Sequence, residues 1–102
     1  MPFEQFIPRP LTAGAIHTYA PTLSGVYGIS NAREWLYIGE TENIQNTLLT
    51  HLQDSKTSLM KLEPAGFVFE VCDGARRLSR QDRLVLEYEP TCNRRSPARG
   101  VF

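Results

Sequence analysis

The chain has 102 residues, 41% of them hydrophobic and 22% charged, with a formal net charge of zero. That length suits one small domain with a single modest core, and the composition is that of an ordinary globular protein. No apolar run approaches the roughly 20 residues of a membrane-crossing helix, and the opening stretch MPFEQFIPRP lacks the basic and long apolar regions of a secretory leader, so a cytoplasmic setting with no membrane contact is expected.

Residues 1–23 contain Pro2, Pro8, Pro10 and Pro21 and hold no sustained period, which predicts an irregular N-terminal extension with one turn of helix near Thr12–Tyr19. Phe3, Phe6, Ile7 and Leu11 are too apolar for a free tail; they are expected to lie back on the domain or to join a dimer contact. Gly25–Ser30 alternates, with Tyr27 and Ile29 on one face and Val26 and Gly28 on the other. After a turn at Asn31-Ala32-Arg33, Trp35–Gly39 alternates again, with Trp35 and Tyr37 opposite Leu36 and Ile38. So short a join makes an antiparallel hairpin that can bring Tyr27 and Tyr37 together.

Thr41 is the expected N-cap of the next helix, with Glu42 in its first turn. Ile44, Leu48, Leu49 and Leu52 follow helical spacing up to about Asp54. A polar connection over 55–64, with a helical turn at Ser58–Leu62, leads to a third strand, Phe67–Cys72, closed by a turn at Asp73-Gly74. Ser79 is the expected N-cap of a second helix running from Arg80 to Glu89 and stopped by Pro90. Its inward face is Gln81, Leu84, Val85 and Tyr88. Residues from Thr91 onward read as an irregular basic tail. The order β-β-α-β-α predicts an α+β fold, a small three-stranded sheet with helices packed on it, over residues 24–93, with 94–102 as a C-terminal tail.

Gly25-Val26-Tyr27 followed ten residues later by Tyr37-Ile38-Gly39, each inside an apolar strand, resembles the signature of the GIY-YIG nuclease superfamily. The resemblance covers Ser24–Asn93 and implies the same β-β-α-β-α core. It also implies a site for divalent-metal-dependent DNA cleavage built from two tyrosines, a helix arginine, a metal-binding glutamate and a closing asparagine. Carried over position by position, Tyr27 and Tyr37 are the tyrosines, Gly39 the motif glycine and Asn93 the asparagine. The arginine position is Thr47. The glutamate position is Gln81; a shift to Asp82 would leave the helix face shared by Leu84, Val85 and Tyr88. Both charges that the chemistry needs are thus replaced. Phosphodiester cleavage adds negative charge to an anion and calls for cations aimed at it, while magnesium calls for hard oxygen ligands including a carboxylate. His51, one turn after Thr47, is the substitute base or cation. Glu40 is the weak substitute carboxylate, with a surface pairing to Arg33 as its other reading. His17 carries no role.

Charge is unevenly spread: residues 1–74 hold four basic and eight acidic groups, and residues 75–102 hold seven arginines and three acids. Arg80 and Arg83, opposite the apolar helix face, together with Arg76, form a candidate phosphate-tracking stripe. Cys72 and Cys92 lack any zinc-type spacing, and Cys72 reads as a buried thiol. The expectation is a nuclease-like domain impaired in catalysis that binds DNA or another nucleic acid and needs no cofactor. The alternatives are an active endonuclease using Tyr27, Tyr37 and His51 with magnesium or manganese, and a protein-interaction module or homodimer.

Overall fold

Strand β2 (Gly25–Ser30) is buried along its whole length because it is flanked on both sides, by β3 (Trp35–Thr41) and by β4 (Gly66–Val71). The computed structural model describes Phe3 and residues 8–54 and 58–94. A fourth strand, β1 (Arg9–Pro10), pairs with the start of β4, so the antiparallel sheet has the order β1-β4-β2-β3 rather than three strands. The extra strand arises within the proline-rich lead-in, where Pro10 tolerates an edge position because its missing N–H is not needed there. The same lead-in carries a full helix, α1 (Ala13–Tyr19), whose N-cap Thr12 accepts a hydrogen bond from the Ala15 N–H.

Helices cover both faces. On one face α1, α2 (Ile44–Gln53) and α3 (Ser58–Lys61) bury Ile16, Ile44, Leu48 and Leu59 against Tyr27, Ile29, Leu36 and Phe67. On the other, α4 (Arg77–Tyr88) buries Leu84 against Val26, Ile38, Val68 and Phe3. Phe3, 1% exposed, stacks on Trp35 and Tyr88 and donates its N–H to the Tyr88 hydroxyl at 3.2 Å. The apolar lead-in therefore does lie back on the domain at Phe3 and Leu11; Phe6 and Ile7 fall outside the described residues.

Four local expectations are corrected. Ile29 pairs with Tyr37 but Ser30 pairs with Trp35, so Leu36 is an extra residue in β3. This bulge turns Trp35 to the α4 face with Ile38, and leaves Tyr37 on the α2 face with Leu36. The cap of α2 is Asn43, whose side chain accepts from the Asn46 N–H; Thr41 still belongs to β3, paired with Gly25. Helix α4 begins at Arg77, ahead of Ser79, because the Asp73 carboxylate accepts the Arg76 N–H and starts the first turn early. Finally, Thr91–Arg94 form a short helix, α5, in place of an irregular segment. Cys72 and Cys92 are both half-buried and not disulfide-bonded, and burial raises the Cys72 thiol above its ordinary value.

Candidate functional site

Three aromatic side chains meet on the α2 face of the hairpin. Tyr27 projects from the middle of β2, and its cross-strand neighbour in β3 is Gly39. A β-carbon at position 39 would stand 2.6 Å from the Tyr27 hydroxyl oxygen and 2.8 Å from a ring carbon of Tyr37. The bare glycine is what lets the phenol lie flat across the strand. The rings of Tyr27 and Tyr37 are 6.0 Å apart, and each lies 5.6 Å from the imidazole of His51. Helix α2 delivers His51 on the face it shares with the buried Ile44 and Leu48, seven and three residues before it, so the burial of that face turns the imidazole toward the sheet. The Tyr27 hydroxyl and His51 Nε2 share a hydrogen bond of 2.7 Å.

The electrostatics favour neutral Tyr27 and His51. Burial first, then the adjacent Tyr37, pushes the Tyr27 phenol well above its usual range, so it keeps its proton. Burial lowers His51 below the ordinary imidazole value, against a weaker opposing pull from Asp54. Protonating His51 therefore works against the fold. Stability should be full above the unfolded imidazole value of about 6.5 and should fall as the pH drops below it, toward the lower folded value. We expect urea midpoints measured between pH 5.5 and 7.5 to decline more steeply toward acid in the parent than in His51→Gln. Equal slopes would show that His51 is not held neutral.

Thr47, which the motif resemblance sets at the arginine position, lies one turn before His51, and its hydroxyl is bonded to that of Thr41 at 2.6 Å. Gln81 is 5% exposed and donates its Nε2–H to the Ile38 carbonyl at 3.1 Å. Asn93, from α5, grips the same residue across two successive peptide units: its Oδ1 accepts the Ile38 N–H at 2.6 Å and its Nδ2 donates to the Ile38 carbonyl at 2.9 Å. Gln81 and Asn93 thus meet at the middle residue of Tyr37-Ile38-Gly39, while the tyrosines and His51 gather on the opposite face.

The charged candidates are placed elsewhere. Glu40 and Glu70 flank Val26 across the α4 face, where each meets an arginine from the first turns of α4. Arg77 Nε, buried, stands 3.2 Å from Glu40, which makes Arg77 rather than Arg33 its partner. Arg80 forks onto Glu70 with contacts of 2.6 and 2.8 Å, and those hydrogen bonds raise its already high value. Arg80 therefore faces the sheet and is not part of an outward stripe; Arg76 and Arg83 are exposed. Sequence reading grouped Arg77 with the arginines at the start of the second helix and gave Glu70 no role; the pairings of Arg77 with Glu40 and of Arg80 with Glu70 join a strand to a helix and are set by the fold.

A buried tyrosine bonded to a histidine, a half-buried tyrosine packed against both, and an edge strand clamped by two amides thus sit together in a small α+β domain. No protein-family model and no curated protein matches the chain. Solved structures do: the GIY-YIG N-terminal endonuclease domain of UvrC from Thermotoga maritima, bound to magnesium as its catalytic divalent cation, superposes with a TM-score of 0.63 at 22% identity, covering 74% of this chain and 92% of that one. A point mutant of the same domain, also cation-bound, gives a TM-score of 0.61 at 23% identity over 74% and 92% of the two chains. The chain has a GIY-YIG fold.

That fold implies a divalent cation, and the residues present here do not fit one. Among the described residues no group of three or more His, Cys, Asp and Glu side chains is arranged to hold a metal ion. Gln81, which the motif resemblance sets at the carboxylate position, carries no charge and donates its amide N–H to a main-chain oxygen. Glu40, the substitute carboxylate, belongs to the other face and is paired with Arg77. No described helix is long and apolar enough to cross a membrane.

Proposed function

We propose that the chain is a GIY-YIG-fold domain that binds nucleic acid and does not cleave it by metal-assisted hydrolysis. The observation that carries this reading is Gln81, a neutral, buried amide hydrogen-bonded to Ile38, at the position that the motif resemblance assigns to a metal-bound carboxylate. Thr47, a neutral hydroxyl bonded to Thr41, replaces the second charge. Losing one such transition-state stabiliser typically costs about 10²–10³ in rate, and two are replaced. Binding is supported by Arg76, the N-cap of α4, and Arg83, seven residues further along the helix, which stay exposed while Arg77 and Arg80 are held by glutamates. The sequence adds Arg94, Arg95 and Arg99 directly beyond Asn93. The endonuclease activity of the solved relatives makes a nucleic acid the natural partner class.

The test has two parts. Plain, nicked and branched DNA are incubated with the chain in magnesium or manganese, with Tyr37→Phe as control. Anisotropy titrations then measure DNA affinity across salt concentrations. We expect no cutting, and a linear fall of log affinity with log salt. The Arg76→Ala/Arg83→Ala double variant should flatten that slope by about two, since each phosphate contact on duplex contributes about 0.9. Cutting that vanishes in Tyr37→Phe would restore the active-endonuclease alternative, with His51 as the first residue to replace. Absence of any salt-dependent binding would leave the protein-interaction reading.

A further inference from the structure

Two side-chain amides converge on one residue of an edge strand. On its outer side β3 has no strand partner among the described residues, and an open edge of this kind invites pairing with other chains. Asn93 occupies both the N–H and the carbonyl of Ile38, and Gln81 Nε2 donates to that carbonyl as well. Both acceptor sites of the oxygen are then used. The neighbours of Ile38 in sequence are Tyr37, which packs on Tyr27 and His51, and Gly39, over which Tyr27 lies.

We infer that Gln81 is a positioning residue, an N–H donor that holds Tyr37-Ile38-Gly39 in place from the α4 side, and that an ionised carboxylate cannot take over this position. The reason is the direction of the hydrogen bond. An amide brings N–H groups, whereas an ionised carboxylate only accepts. A carboxylate would meet the Ile38 oxygen across a buried gap with no proton between the two acceptors, and its charge would be taken out of water; both conditions are costly. The site has therefore been rebuilt around a donor, and restoring the acid alone does not restore a metal site. This inference rests on the reading above only in equating position 81 with the fold's carboxylate. DNA binding and cleavage by the parent chain bear on that reading and leave the clamp untouched.

The experiment compares full-length Gln81→Glu and Gln81→Met with the parent by chemical denaturation between pH 4 and 7.5, with and without millimolar magnesium or manganese. The imidazole of His51 is titrated alongside by NMR, with His17 as the only other histidine. In the folded variant the new carboxyl should titrate above its ordinary value of about 4.3, because its neutral form can still donate to Ile38. The deficit of Gln81→Glu should accordingly be full at pH 7, roughly tenfold in the folding constant. It should close as the pH falls toward the unfolded carboxyl value, and neither metal should relieve it. In Gln81→Met, which lacks the donor but adds no charge, His51 should titrate closer to the value of a free imidazole than in the parent. A Gln81→Glu chain as stable as the parent at pH 7, or one stabilised by either metal, overturns the inference. So does a Gln81→Met chain with unchanged stability and unchanged His51 titration, and that variant carries the test if Gln81→Glu does not fold.

Discussion

Gly39→Ala is expected to lower folding stability by about 1–3 kcal/mol, the usual cost of forcing atoms into a filled site, and to break the hydrogen bond between Tyr27 and His51. The added methyl has nowhere to go: its carbon would lie 2.6 Å from the Tyr27 oxygen, 2.7 Å from the ring carbon bearing it and 2.8 Å from Tyr37. Tyr27 is 3% exposed, so the ring cannot swing into solvent without opening the core. The phenol must move along the strand, away from Nε2. Denaturant midpoints give the stability change, and an NMR titration of His51 gives the local one, since a loosened pocket lets the imidazole titrate closer to its ordinary value. Gly14→Ala is the matched control. It lies in α1 with nothing within 4 Å of the added carbon, and it should be neutral or stabilising by up to about 1 kcal/mol. A Gly39→Ala chain that behaves like the Gly14→Ala control would mean that Tyr27 does not depend on the bare strand beneath it.

How far the site could be read beforehand depended on the kind of interaction involved. Tyr27, Tyr37 and Gly39 were legible because strand alternation and hairpin pairing follow from a period of two and a short turn. The helical period placed His51 one turn from Thr47 and put Gln81 on the inward face of α4. Contacts to the main chain were not legible. Nothing in the letters Gln81 and Asn93 names the Ile38 peptide as their partner, since every residue offers the same N–H and carbonyl. The bulge at Leu36 escaped for a related reason: an inserted residue breaks alternation only relative to the opposite strand, and Trp35 is held on its face by Phe3 and Tyr88, far away in sequence. Thr41 and Asn43 are both good caps by residue type, and pairing of Thr41 with Gly25 decided between them. The arginines were misjudged because side-chain reach exceeds helical phase. Arg80 was placed outward by the helical wheel, yet its fork reaches back to Glu70, and this contact removes it from the set of exposed cations.

Phe3→Ala should have the largest effect of any single change, about 3–5 kcal/mol, the range for truncating a buried phenylalanine to alanine. The side chain fills a slot built for a ring. Trp35 and Tyr88 stack on it, and a β-carbon at Gly28 would come within 3.0 Å of both Phe3 and Trp35. Trp35 is the chain's single tryptophan, so its emission reports directly on the slot and should move to longer wavelength as water replaces the ring. Phe3→Leu keeps apolar bulk and should recover most of the loss. The consequence reaches the site through α4, which is tied along β3 at three points: Arg77 to Glu40, Gln81 to Ile38, and Tyr88 to Trp35. Phe3 secures the last of these, at the end of the helix away from the ion pair. Loosening that end frees the helix to shift over Ile38, so Phe3→Ala should also disturb the His51 titration, although Phe3 and His51 lie on opposite faces of the sheet. Unchanged Trp35 emission with an unchanged midpoint would show that Phe3 does not occupy the slot. A lost midpoint with an unchanged His51 titration would show that the helix is held over Ile38 without it, by Gln81 and the Glu40 pair alone.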